Sequence, residues 1–247
     1  NKKELHMSYI DTDFKKYAAK PYKKHGSRFG EAGLIKYLMN TVEKTSEFTS
    51  KPPYLVEVGV HSFEGNTISL IQDEPWDGIW IDMGESPDLD GDGYKLFPIQ
   101  KHKITVDNIN PILAANKVPW DFDLFSLDID GNDYWVWKAM MFKPRVVIIE
   151  YNAHLLIDES KTIARDDDFY WRGDRYHGAS LKALNKLAIE KEYTLVCAYC
   201  HNALFVRNDC IDNPEDFKYE EIYEYFPVHA FSTPKSLPES DQVWVEV

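Results

Sequence analysis

Two apolar runs between Asp123 and Asn152 each end in oxygen-bearing side chains. Leu124-Phe125-Ser126-Leu127 leads into Asp128-Ile129-Asp130-Gly131-Asn132-Asp133, and Val146-Val147-Ile148-Ile149 leads into Glu150-Tyr151-Asn152. Short runs of this kind read as strands buried on both faces of a parallel sheet. Open α/β sheets bind ligands beyond the carboxyl ends of such strands, so Asp128, Asp130, Glu150 and Asn152 are expected at one rim. One chemistry open to them is metal binding. Asp128, Asp130 and Glu150, with Asn152 as a neutral oxygen donor, suit a hard cation such as Mg²⁺, which would hold a vicinal diol and lower the pKa of one hydroxyl. The other is metal-free and is slightly preferred: Asp128 or Asp130 orients an acceptor while His177 or His154 takes its proton. A structural role competes with both, because Asp130 and Asp133 also sit where acids favour the start of a helix.

The elements upstream repeat the strand-then-acid pattern. Tyr54-Leu55-Val56-Glu57-Val58-Gly59-Val60 reads as a strand ending in an acid and a glycine, followed by Glu64-Gly65-Asn66-Thr67, and Gly78-Ile79-Trp80-Ile81 ends in Asp82. A strand, an acid and a glycine, then a second strand ending in an acid, can hold a nucleoside whose ribose hydroxyls meet the second acid. A pyrophosphate site needs Gly-x-Gly-x-x-Gly; here five residues that include Glu64 separate Gly59 from Gly65. A carboxylate in that loop suits a cationic ligand, and S-adenosylmethionine carries a sulfonium and an ammonium.

Glu57-Val58-Gly59, Gly65-Asn66-Thr67, Asp82 and Asp123-Leu124-Phe125-Ser126-Leu127-Asp128-Ile129-Asp130-Gly131 together resemble the FkbM-type S-adenosylmethionine-dependent methyltransferases. The resemblance spans about residues 52–208, including His177-Gly178-Ala179-Ser180-Leu181 and Asn202–Arg207; Glu57 stands for the usual Asp, and the Gly59–Gly65 loop is longer. It implies a class I, Rossmann-like, doubly wound α/β fold with a mostly parallel seven-stranded sheet and a C-terminal antiparallel hairpin. It also implies O-methylation of a sugar or other polyhydroxylated small molecule. Glu57 and Gly59 would meet the methionine end and Asp82 the ribose, with His61, Gly65 and Asn66 in the first loop and Asp107 at the adenine. Three other functions stay open: N-methylation of a peptide or amide, which an acidic acceptor groove would favour; a divalent-metal hydrolase; and a non-catalytic nucleoside-binding partner subunit.

Composition fits one enzyme domain. The 247 residues are 44% hydrophobic and 14% aromatic, enough for a substantial core and against disorder. A net charge of −13, from 41 acids against 28 bases, argues against nucleic acid or an anionic membrane as the main partner. No apolar run is long enough to span a bilayer and no signal-like segment opens the chain. It opens on Asn1 rather than Met, so a trimmed chain or a fragment is expected. Residues 1–50 read as an arm and a capping helix over Glu31–Lys44, 51–212 as the cofactor-binding domain, and 213–247 as a tail packed on it. Lys103–Val106 reads as the third strand, Asp107-Asn108 as a helix cap, and 153–180 as a substrate-facing insertion too long for an idle connector.

Two further motifs read as structural. Cys197-Ala198-Tyr199-Cys200-His201 matches a haem-attachment pattern, and Cys210 invites a zinc or redox reading. An odd count of three cysteines instead suits reduced thiols in the cytoplasm. Asp88-Leu89-Asp90-Gly91-Asp92-Gly93 resembles a calcium loop, but its twelfth position is Ile99 where a bidentate Glu belongs.

Overall fold

The computed structural model describes residues 31–45, 52–60, 65–84, 97–211, 213–225 and 237–247. The expected arm over residues 1–28, His61 and the Asp88–Gly93 loop lie outside the described residues. Helix α1 (Glu31–Thr45) precedes β1 (Tyr54–Val58), α2 (Ile68–Asp73), β2 (Asp77–Asp82), β3 (Ile99–Lys101), α3 (Ile109–Ala115) and β4 (Leu124–Leu127). Then come α4 (Asp133–Ala139), β5 (Val146–Glu150), β6 (Lys161–Thr162), α5 (Leu181–Glu190), β7 (Tyr193–Tyr199), β8 (Asn202–Arg207), α6 (Tyr219–Tyr225) and β9 (Val245–Glu246).

Seven strands form one mixed sheet in the order β3-β2-β1-β4-β5-β8-β7. Pairing is parallel from β3 to β5, and β8 runs antiparallel to both β5 and β7. Alternation along the strands divides the core. Val56, Val58, Phe125, Leu127, Val147 and Ile149 pack with α3, α4 and α5 on one face. Leu55, Leu124, Val146 and Ile148 pack with α1 and α2 on the other. Helices on both faces explain why β4 and β5 read as nearly unbroken apolar runs. Among the described residues no helix is long and apolar enough to cross a membrane.

The third strand departs from expectation. It lies at Ile99–Lys101, and its ladder ends where Lys101 meets Asp82. Asn108 explains why Lys103–Val106 leaves the sheet: its Oδ1 accepts from Thr105 N (2.8 Å) and its Nδ2 donates to the Lys103 carbonyl (2.8 Å). The side chain has taken backbone groups that a ladder would need, the competition expected of a short amide. Asn108 is still the residue before α3, but it makes no side-chain cap.

Two sets of contacts do most to place the 153–180 segment, beside single bonds such as Trp135 Nε1 to the Ile163 carbonyl (2.8 Å). Asn152 is the first: its Nδ2 donates to the carbonyls of Arg175 (2.8 Å) and His177 (2.9 Å), and its Oδ1 accepts from His154 N (3.0 Å). The second is β9, which pairs with β6. Arg175 N donates to the Pro238 carbonyl (3.1 Å), the Tyr176 hydroxyl donates to the Val243 carbonyl (3.0 Å), and Trp244 packs on the Tyr176 ring with centroids 4.8 Å apart. The three cysteines are free thiols, all buried.

Candidate functional site

The order of the sheet reverses at β1 and β4, and a cleft of about 530 Å³ opens at the carboxyl ends of these strands. That volume suits a small-molecule ligand. Gly59 forms its floor. The residue has φ +87°, and a Cβ there would come within 1.5 Å of the Asp128 carbonyl oxygen. Both the left-handed backbone and the contact with β4 therefore require glycine. Gly59 N donates to the Ile81 carbonyl (2.9 Å) and Asp128 N to the Val58 carbonyl (3.0 Å), locking three strand ends together.

Asp82 closes β2 and lines the cleft. Its Oδ1 accepts from Gly84 N at 2.6 Å, which orients the carboxylate. Asn66 also lines the cleft; its Nδ2 donates to Ser126 Oγ (3.1 Å). Glu57 is placed differently from expectation. It is buried and absent from the lining, and its carboxylate accepts from Asn66 N (2.6 Å), Thr67 N (3.2 Å) and the Thr67 hydroxyl. Burial raises its pKa to about 6 against these hydrogen bonds. Glu57 thus fixes the loop into α2 rather than facing a ligand. Gly65 packs on the same carboxylate, with room for a Cβ only at 3.4 Å.

The acids of β4 and β5 do meet. Ligand oxygens of Asp128, Asp130 and Glu150 lie within 4.8 Å of one another, and all three residues line the cleft. Asp128 and Glu150 share a hydrogen bond, and burial followed by repulsion among the neighbouring acids pushes both carboxyls well above the usual range. Asp130 is held at φ +56°, a conformation that costs most residues energy and that Asp tolerates better than most. Asp133 shapes this loop instead of facing the cleft. Fully buried, it accepts from Ile129 N (2.9 Å) and Gly131 N (2.9 Å), and burial lifts its pKa to about 7. Asn152, expected as an oxygen ligand, is corrected here. The contacts that anchor the insertion occupy its oxygen and its amide nitrogen.

The expected bases also lie off the lining. His177 is buried behind Trp171, with ring centroids 5.1 Å apart, and His154 sits 6.1 Å from it. Burial lowers the His177 pKa to about 4, leaving a neutral imidazole that supports the cleft wall. Asp107 is exposed and pairs with Arg165 at 2.8 Å, also away from the lining. The insertion instead contributes Phe169, Tyr170 and Trp171; Tyr170 is 75% exposed and Met83, also in the lining, 61%.

Lys103, His201 and Asn202 line the cleft without having been singled out. Lys103 Nζ pairs with Asp168 (3.2 Å). Asn202 stands directly opposite Glu150 in the β5–β8 ladder. The signal for it was its place at the start of the last strand, but only that pairing brings it to the acids.

No known protein family matches the chain, and no curated protein matches it. Among solved structures it is similar to one titled "Putative hemolysin from Streptococcus thermophilus", at 11% identity and a TM-score of 0.45. That match covers 82% of this chain and 74% of the other. A likeness of that size carries no argument about function.

Proposed function

We propose that the protein is an S-adenosylmethionine-dependent O-methyltransferase of the FkbM type, acting on a hydroxyl of a sugar or similar small polyhydroxylated molecule. One observation carries the reading. The glycine floor at the β1/β4 reversal and the oriented Asp82 carboxylate on the neighbouring strand open into one cleft, which is how an α/β sheet holds a ribose. The strand order with a reversed β8 agrees with the class I arrangement that the resemblance implies. Acidic walls suit a cofactor with two positive groups.

The sulfonium supplies a methyl group already activated for transfer, so the protein's task is alignment of the acceptor and removal of its proton. Gly59 and Asn66 bound the methionine side, Asp82 holds the ribose, and Tyr170 and Trp171 offer faces for an acceptor ring. With both histidines off the lining, Asp128, Asp130 and Glu150 are the groups that meet the acceptor hydroxyl.

A second acceptor class, an amine, is favoured by one feature. Asp82, Asp128, Asp130, Glu150 and Asp167 line the cleft, whereas Lys103, the one lysine among the described lining residues, is paired with Asp168.

Calorimetric titration with S-adenosylhomocysteine tests the cofactor. Micromolar binding, reduced at least about tenfold in Asp82→Ala, is expected from the loss of a charge-assisted hydrogen bond. Absence of binding with and without Mg²⁺ would reject the reading.

A further inference from the structure

We propose that Asp128, Asp130, Glu150 and the side-chain oxygen of Asn202 form a divalent-cation site on the cleft floor. Its ligand class is a hard ion of the Mg²⁺, Mn²⁺ or Ca²⁺ type, which presents two adjacent oxygens of the acceptor to the methyl donor. Binding of the ion is independent of the methyltransferase reading; the acceptor geometry rests on it.

The carboxylate cluster alone would be a weak basis, since acids gather at many surfaces without an ion. The deciding observation is a second pair of atoms. Glu150 Oε2 and Asn202 Oδ1 are both buried and have no hydrogen-bond partner. Asn202 is only 6% exposed. A buried acceptor left unmade is costly, so the Asn202 oxygen, on a residue paired with Glu150, calls for a donor or a cation. Glu150 and Asn202 face each other across the antiparallel ladder, which puts their side chains on the same face of the sheet, about 5 Å apart at Cβ.

The orientation of the Asn202 amide is set from beneath. Its Nδ2 donates to Asn66 Oδ1 at 3.3 Å, and Asn66 Nδ2 donates in turn to Ser126 Oγ at 3.1 Å. With the nitrogen held by that relay, the oxygen is left for the cleft.

The donor set is chemically consistent. Three carboxylates and an amide oxygen are hard ligands that favour Mg²⁺, Mn²⁺ or Ca²⁺ over soft metals. Metal–oxygen distances of about 2.1–2.5 Å place opposite ligands roughly 4–5 Å apart, and the three carboxylate oxygens already lie within 4.8 Å. Among the described residues no lysine or arginine pairs with Asp128 or Glu150. The cleft side of the cluster stays open for ligand oxygens, so an acceptor with vicinal hydroxyls, or a hydroxyl beside a carbonyl, can complete the coordination.

The test uses the whole chain after EDTA treatment and dialysis. Mn²⁺ is titrated in and the free ion is followed by electron paramagnetic resonance, with Mg²⁺ as competitor. One site per chain is expected, weakened at least tenfold in Asn202→Ala and in Glu150→Gln, and retained in Asn202→Asp, which keeps an oxygen donor. Circular dichroism checks that each variant is folded. Asp121→Asn, remote from the cleft lining, leaves binding unchanged. Absence of saturable binding up to about 10 mM, beyond the range of weak functional sites, overturns the proposal, as does binding indifferent to both Asn202→Ala and Glu150→Gln. S-adenosylhomocysteine titration alongside separates the two readings: Mn²⁺ without the nucleoside retains the cation site and rejects the methyl donor, and the nucleoside without Mn²⁺ does the reverse.

Discussion

Single side chains at the cleft divide into those that line it and those that hold the lining in place. Glu57 and Asp133 are the second kind, each a buried carboxylate turned onto backbone amides. Asp82, Asp128 and Asn202 are the first. The sequence marks acids at strand ends but not their direction, because direction depends on what the next loop needs. Glu57 is drawn inward by the unpaired amides before α2, whereas Asp82 ends its strand beside a glycine. Gly59 gives the sharpest test at this scale. Gly59→Ala adds a methyl where the Asp128 carbonyl stands and forces alanine to φ +87°, so a destabilisation of about 3 kcal/mol or more is expected. Urea unfolding measures it, and a loss below about 1 kcal/mol would mean that β1 and β4 part easily.

Whole elements show where local pattern stops being informative. The Val/Ile run of β5 and the alternation of β1 and β2 reveal strands because their burial is decided by neighbours close in sequence. The third strand was misplaced, since an amide side chain at Asn108 redirects the backbone. The two-residue β6 and β9 could not be read at all: their ladder joins residues more than eighty apart. That pairing restrains the wall carrying Phe169–Trp171. Replacing Tyr176 by Phe and Trp244 by Ala removes two hydroxyl bonds, to the Val243 carbonyl and from Ala164 N, and the packing beneath them. Loss of about 1 kcal/mol of local stability predicts roughly fivefold faster amide hydrogen exchange at Ile163 and Arg175, with S-adenosylhomocysteine affinity unchanged. Equal exchange in variant and parent would show that the clasp adds nothing to the insertion's other contacts, among them Asn152 and the Trp135 Nε1 bond to the Ile163 carbonyl.

At the scale of the molecule, buried ionisable groups set how stability follows pH. The His177 imidazole takes its proton near pH 6.5 when unfolded but only near pH 4 when folded. Between those values the unfolded chain binds the extra proton, so stability falls as pH drops from 6.5 to 4, by about 3 kcal/mol in all. Glu57 and Asp133, raised to about 6 and about 7, act with the opposite sign. They are most stabilising at low pH, and that contribution is lost as pH rises through their folded values. The difference between parent and His177→Gln isolates the imidazole: urea midpoints of the two should converge between pH 7 and 4.5, and parallel lines would contradict its neutral burial. The clasp of β9 on β6 has another consequence, in the order of synthesis. The sheet strands and the insertion leave the ribosome before residues 237–247, so in the nascent chain the insertion rests on Asn152 and its other contacts without the clasp. The wall that carries Phe169–Trp171 thus gains its clasp after the sheet beneath it has been made, and the order of its contacts follows the order of the sequence.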